Sequence, residues 1–411
     1  MTMHIIEEAS RCLKCKKPLC SKGCPVSTPA NLMIEALLEG DMRKAGAMLF
    51  ENNPLSVVCS LICPHERFCE GHCILGKKGA PVHVSAVEQY ISRYYLEQYE
   101  PERPVNENNG KRIALVGSGP AGITMAFILA RQGFDVTLFE SEEYIGGVLQ
   151  YGIPDFRLPK DILKRLWEKL VGLGVKVRPN TLIGPVIGID HLFADDYKAV
   201  FIGTGVWNPR PLRLKGESLG HVHYAIHYLK NPSVYTLGNR VAVIGAGNVA
   251  MDVARTALRK GAHEVTILYR RGEGDISATR YEYEYAKLDG VRFRFHSSPV
   301  EITDRGVVVV DTQVVEGEDG RSRVEPVEGS ESLFEADSVF IAVSQAPRNN
   351  LTGLEVGKTG LVITDEEGHT NRPGVFASGD VVTGAKTVAE AVNFSKRTAN
   401  AIIDYVSGLG D

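Results

Sequence analysis

Every cysteine of this 411-residue chain lies within its first 73 residues. The eight fall into two runs, Cys12-x2-Cys15-x4-Cys20-x3-Cys24 and Cys59-x3-Cys63-x4-Cys69-x3-Cys73, with Pro25 and Pro64 directly after a cysteine. Short spacings of this kind wrap backbone around a cubic iron–sulfur cluster, and the proline turns the chain away from it. Two runs predict two [4Fe-4S] clusters, hence a protein that moves single electrons. The competing reading is a zinc-stapled scaffold with no turnover. Cytosolic zinc sites made of four cysteines usually join two C-x2-C knuckles, however, and this chain has one.

The length predicts two or three domains. A formal charge of −4 and a pI near 6.3 give no bulk electrostatic attraction to nucleic acid or to an anionic membrane. The start, MTMHIIEEASRC, lacks a basic segment followed by an apolar one, and no run of about eighteen apolar residues occurs. The chain therefore reads as cytoplasmic, without a membrane span. In that reducing compartment clustered cysteines bind metal rather than pair as disulfides.

Helical periodicity is predicted over Asn31 to Leu38, Met42 to Phe50 and Val84 to Tyr99, with no strand signal before residue 100. Pro101 to Gly110 is polar, rich in proline and asparagine, and reads as a linker. Then a strand, Arg112 to Val116, leads through Gly117-Ser118-Gly119-Pro120-Ala121-Gly122 into a helix ending near Gln132. The order returns at Arg240 to Ile244, Gly245-Ala246-Gly247-Asn248-Val249-Ala250 and a helix to Lys260. A last strand and turn, Gly374 to Asp380, precede a helix from about Val388 to Tyr405. The expected fold class is α/β: a helical N-terminal iron–sulfur domain (1–110) followed by two Rossmann-like dinucleotide-binding domains, one inserted in the other. The outer of these takes 111–236 and 346–411, and the inserted one 237–345.

In the first unit, Gly117, Gly119 and Gly122 permit a tight turn, a close approach to pyrophosphate and close helix–strand packing. The phosphates then face a helix N-terminus. Glu140, at the end of the next strand, stands where an acid binds an adenosine ribose. In the second unit the turn is Gly245-x-Gly247-x-x-Ala250, and the next strand ends in Tyr269-Arg270-Arg271. Two guanidinium groups there suit a 2′-phosphate through forked hydrogen bonds, so NADPH is expected over NADH.

With these features in place, residues from about 8 to 405 resemble the small subunit of glutamate synthase. They are equally similar to the N-terminal half of dihydropyrimidine dehydrogenase, its bacterial flavoprotein subunit, and the large subunit of NADH-dependent ferredoxin:NADP oxidoreductase. The most specific pieces are the cysteine runs, Gly146-Gly147-Val148-Leu149, Gly152 to Pro159, and Gly379-Asp380 with Lys386-Thr387-Val388. The resemblance implies FAD at Gly117, Gly119, Pro120, Ala121, Gly122 and Glu140, with Gly146, Gly147, Val148 and Arg157 along the flavin. Gly379 and Asp380 fall at the ribitol, and the helix after Thr387 and Val388 points at the pyrimidine end of the ring. NADPH goes to Gly245, Gly247, Asn248, Val249, Arg270 and Arg271. By the same likeness one cluster takes Cys12, Cys15, Cys20 and Cys73. The other takes Cys24, Cys63 and Cys69 with Glu88, or Gln89 if the register shifts by one, and Cys59 is a neighbour. Gly203 departs from the family, which commonly has alanine there.

Nicotinamide gives a hydride, whereas a cluster accepts one electron, so a flavin between them is chemically required. The residues of interest are therefore binders and ligands, with no acid–base or nucleophilic group demanded. His65, His72 and His83 read as neighbours of the clusters rather than ligands. The chain is expected to be an NADPH-oxidising subunit of a hetero-oligomer, feeding a larger redox subunit or a ferredoxin-type acceptor. An electron-bifurcating module exchanging electrons among ferredoxin and nicotinamide pools shares every one of these motifs.

Overall fold

In the computed structural model, residues 4–99, 109–316, 322–348 and 350–409 are described. The expected linker lies outside them except for Asn109 and Gly110. The chain divides into two compact units. One comprises Met1–Gln150, Asp155–Val206 and Ala346–Asp411; the other comprises Tyr151–Pro154 and Trp207–Gln345. The cysteine-bearing helices thus share a unit with the first glycine turn.

The helices of this segment are Ile5–Ser10, Leu19–Lys22, Ala30–Leu38, Met42–Asn52, Ser56–Ile62 and Val84–Gln98; Cys20 and Cys59 lie within them and the other cysteines on the loops between. Val84, Val87, Ile91 and Tyr95 recur at helical spacing and face inward together with Met33, Ile34, Leu37 and Leu49. Cys12, Cys20 and Cys73 pack against the rim of this core. Asp41 caps the helix Met42–Asn52 by accepting from the Lys44 N–H at 2.9 Å. Gly46 lets that helix close on Val84–Gln98, since a Cβ there would lie 2.4 Å from the Tyr95 Cβ. Phe50 meets the Phe127 ring edge-on at 5.1 Å, and Lys396 donates to the Asn52 carbonyl at 2.9 Å and its side-chain oxygen at 3.0 Å. These contacts bind the helical layer to the adjoining α/β layer.

The α/β layer of this unit is a parallel sheet ordered Val375–Ala377, Tyr197–Ile202, Arg112–Val116, Asp135–Phe139, Lys176–Arg178. Its aliphatic strands are buried on both faces, as parallel strands covered by helices must be. Pro120–Arg131 and Val388–Gly408 pack together on it. The C-terminal strand therefore completes the sheet begun at residue 112. Gly203, the departure from the family, has a local cause: a Cβ there would lie 2.7 Å from the Phe201 ring.

The second unit repeats the plan with the parallel order Val222–Tyr224, Ser338–Ile341, Arg240–Ile244, Glu264–Leu268, Arg292–Arg294. It adds an antiparallel sheet absent from the expectations above, built of Ser297–Thr303, Gly306–Glu316, Ser322–Pro326 and Ser332–Glu335. Its helices Asn248–Arg259 and Arg280–Leu288 are joined by Arg255, which donates to Glu282 at 2.7 Å and to Asp289 at 2.8 Å. The Arg255 and Glu282 side chains are both 7% exposed. Glu282→Ala leaves that guanidinium buried with less compensation, so unfolding of the variant in urea is expected to show a loss of about 3–5 kcal/mol; a loss below about 1 kcal/mol would mean that Asp289 alone suffices.

Candidate cofactor and cluster sites

The thiols fall into two neighbourhoods. Cys12 lies in the field of Cys15 and Cys73, and Cys20 in that of Cys12 and Cys73. Cys24 and Cys63 lie in the field of Glu88, and Cys69 in the field of both Glu88 and Cys24. Each grouping holds members of one of the ligand sets that the resemblance implies, and the second also holds Cys59, beside Cys63. Burial is the first cause raising the thiols of Cys12, Cys20, Cys24 and Cys69; for Cys63 it is the hydrogen bond with Cys59, then burial. Burial and mutual repulsion outweigh the nearby lysines and favour the protonated thiols at these five positions, and a bound metal centre would supply the positive charge that lets them ionise.

Glu88 is buried, and its Oε1 has no hydrogen-bond partner. Burial pushes its carboxyl up to about 8. Gln89, one residue on, is half-buried. An orphaned carboxyl oxygen costs about 1–3 kcal/mol, which coordination to iron would offset. Cys59 is buried and accepts from the Asn53 amide at 3.3 Å. Tetrahedral zinc would hold its sulfurs about 3.8 Å apart. Among the described residues no three cysteines bring their sulfurs within 4.8 Å of one another. Of the three histidines, His65 bonds the Ser60 carbonyl at 3.1 Å with its other nitrogen 3.7 Å from the Cys69 sulfur. His72 bonds the Phe68 carbonyl at 2.6 Å, and His83 lies 3.7 Å from Glu70.

At the first glycine turn, Gly117 has φ +99° and its missing Cβ would lie 2.6 Å from the Gly203 carbonyl oxygen. A Cβ on Gly122 would meet the Gly117 oxygen at 1.9 Å. Gly119 instead faces open space, and the helix Pro120–Arg131 begins there without a side-chain cap, so its first N–H groups are open to an anion. Gly147 abuts Gly119, with a Cβ only 2.9 Å from the Gly119 Cα, and Gly379 abuts Ala121 at 3.0 Å. The two later segments, Gly146–Val148 and Gly379–Asp380, are thereby brought against the turn; Arg157 is half-buried between the helices Val148–Tyr151 and Lys160–Gly172.

Glu140 follows its strand and is buried. One oxygen accepts from the Ser118 N–H at 3.0 Å and from the Ser118 hydroxyl; the other accepts from the Ser141 hydroxyl at 3.1 Å and the Glu142 N–H at 2.9 Å. Glu140 therefore fixes the turn itself, a task the motif did not announce. Asp380 accepts from the Lys386 N–H at 3.2 Å, and burial pushes its carboxyl up to about 6. Thr387 spends its side chain on a capping box with Glu390, squaring off the helix Val388–Gly408.

The second turn repeats the geometry. Gly245 has φ +118°, and a Cβ there would lie 2.4 Å from the Ala342 oxygen. Gly247 precedes the helix Asn248–Arg259 without a side-chain cap. The Asn248 oxygen accepts from the Thr279 N–H at 2.9 Å, and Val249 packs on the core, so both side chains serve the fold. Arg270 is exposed; Arg271 is half-buried and 3.9 Å from Asp275.

Residues missed by the sequence reading are Ser118, Thr28, whose hydroxyl lies 3.4 Å from the Cys24 sulfur, and Lys396, in the field of Cys24. Lys396 carried no local signal, because it reaches the cysteines from the other end of the chain.

Two linked dinucleotide folds with a cysteine-rich helical layer define an iron–sulfur flavoprotein oxidoreductase. Residues 111–394 match the family described as pyridine nucleotide-disulphide oxidoreductase, and residues 1–100 match dihydropyrimidine dehydrogenase domain II, 4Fe-4S cluster. The chain is 33% identical to the glutamate synthase [NADPH] small chain of Escherichia coli K12, over 97% of this chain and 91% of that one. It is 34% identical to the NADP(+)-dependent formate dehydrogenase subunit beta of Moorella thermoacetica, over 94% of this chain and 60% of that one. FprA from Mycobacterium tuberculosis, 22% identical, shares the fold with a TM-score of 0.65 over 73% of this chain and 85% of its own. The chain belongs to the glutamate synthase small-chain family. No helix among the described residues is long and apolar enough to cross a membrane.

Because the carboxyl of Asp380 sits above its ordinary value, the fold favours its neutral form. Its contribution to the stability of the cofactor-free protein is therefore expected to fall as pH rises from about 4 to about 6 and to level off above that, while the raised carboxyl of Glu88 carries a further loss towards about pH 8. Asp380→Asn is expected to flatten this dependence in thermal unfolding; an unchanged pH profile would assign it to other groups.

Proposed function

We propose that this chain is the NADPH-oxidising electron-input subunit of a larger redox complex. The observation that carries the reading is that both cysteine sets and the Gly117 turn belong to one compact unit, so ligands for clusters and a cradle for a dinucleotide share a rigid frame. Bound FAD would supply the exchange between hydride and single-electron chemistry that nicotinamide and iron–sulfur clusters require.

The chain's own residues bind, orient and tune. The open N–H groups of Gly119, Ala121 and Gly122 receive the FAD pyrophosphate, and Gly147 and Gly379 keep side chains out of its path. Asp380 accepts from a ribitol hydroxyl. Cys12, Cys15, Cys20 and Cys73 hold one cluster; Cys24, Cys63, Cys69 and Glu88 hold the other. Gly245 and Gly247 cradle NADPH, and Arg270 and Arg271 pair with its 2′-phosphate. Thiols that must remain reduced favour the cytoplasm. The relatives' names, a small chain and a subunit beta, support a larger redox partner.

Anaerobic purification tests this reading directly. Released FAD, about eight irons per chain and bleaching by NADPH are expected; a colourless protein containing zinc would refute it. Glu88→Ala is expected to disturb the electron paramagnetic resonance of one cluster while the other keeps its signal; two unaltered signals would remove Glu88 from the ligand set. Arg270→Ala with Arg271→Ala is expected to reduce the preference for NADPH over NADH about 10- to 100-fold, through KM, as charged hydrogen bonds of this kind would dictate. An unaltered preference would place the 2′-phosphate elsewhere.

A further inference from the structure

Between Arg11 and Cys24 the chain carries five basic residues and no acidic one, against an overall charge of −4. Arg11 is engaged by Glu8 and by the carbonyls of Ala80 and Pro81, and Lys14 lies 3.6 Å from Glu35. Lys16, Lys17 and Lys22, with Lys77 and Lys78 beyond Cys73, are exposed and have no ion-pair partner among the described residues. Aliphatic side chains stand out between them: Leu13 is 62% exposed, Ile74 44% and Leu19 39%.

The two cysteine sets differ in depth. Cys12, Cys15, Cys20 and Cys73 are all half-buried; in the other set Cys24 and Cys63 are half-buried too, but Cys69 and Glu88 are buried, and Cys24 lies in the field of Lys396 from the helix Val388–Gly408. The first set is thus the outer of the two, and the unpaired lysines and exposed aliphatic side chains are its neighbours along the chain. We propose that this rim, Leu13, Lys16, Lys17, Ile74, Lys77 and Lys78, is the docking surface for an acidic redox protein that exchanges electrons at the outer set. This rests on the proposed function and specifies its partner.

The chemistry favours that occupant. Exposed aliphatic side chains beside unpaired charge are what a protein interface combines, and unpaired lysines attract carboxylates, which speeds and orients encounter. A nucleic acid would lack stacking partners, for no Phe, Tyr or Trp occurs at 11–24 or 73–80. Lysines extended into solvent are strongly screened, so tuning the cluster is a poor account of five of them.

The test uses the anaerobically purified holoprotein and, as probe, an acidic plant-type [2Fe-2S] ferredoxin. Calorimetric titration gives the affinity, and stopped-flow mixing with reduced ferredoxin follows transfer of one electron from ferredoxin to the holoprotein. Both are expected to weaken steeply with salt. In the variant Lys16→Glu, Lys17→Glu, Lys77→Glu, Lys78→Glu the affinity is expected to fall about tenfold or more, with iron content and NADPH-driven reduction of menadione, a neutral quinone, unchanged. Cationic cytochrome c is expected to bind the variant better than the native protein. Affinity that ignores salt and variant, or a shifted cluster potential with affinity intact, overturns the docking surface alone. Absent iron, or failure of NADPH to drive menadione reduction in the native protein, overturns the proposed function and the docking surface with it.

Discussion

A lysine from the last helix reaches across to the helical layer at the start of the chain, where Lys396 bonds Asn52 beside the Phe50–Phe127 ring contact. Everything the first unit does depends on that seam. Electron transfer demands a fixed separation between centres, and a flexible tether between a cluster domain and a nucleotide domain would not provide it. Here residues from both ends of the sequence, together with the helix after the first glycine turn, close into one body. The same lysine brings a positive charge near Cys24, where a ligand set gathers negative charge.

Much of this was legible in the sequence, for reasons that differ from part to part. The two strand–glycine–helix units could be read because so tight a corner demands glycine at fixed spacing: Gly117, Gly122 and Gly245 each have backbone where a Cβ would stand. Helices before residue 100 followed from apolar periodicity. The grouping of the cysteines did not follow from spacing: Cys73 joins Cys12, Cys15 and Cys20 across more than fifty residues, and only the family likeness pointed to it. Glu88 was reached the same way, and its burial without a partner gives that likeness a physical footing.

What escaped was long-range or unassigned. The run Val307 to Val309 is β-branched and pairs on both sides in the antiparallel sheet, but no glycine motif marks that sheet as an element of the second unit. Ser118 occupies an unspecified position of its motif, yet its N–H and hydroxyl both bind Glu140. Asn248 and Val249 sit at motif positions and turn inward to the fold, since a glycine turn offers its backbone, and the intervening side chains are free for other work.

The four hydrogen bonds that Glu140 accepts have a consequence for how the protein matures. They shape the first dinucleotide pocket from the polypeptide's own groups, so this pocket is ready as soon as the chain folds. The cysteine loops are unlike it, with thiols crowded around a buried, unsatisfied carboxyl that only an inorganic centre can quiet. The two kinds of site are thus finished differently: the nucleotide pocket is shaped by hydrogen bonds within the chain, whereas the cysteine loops would gain their last stabilisation from the group they bind.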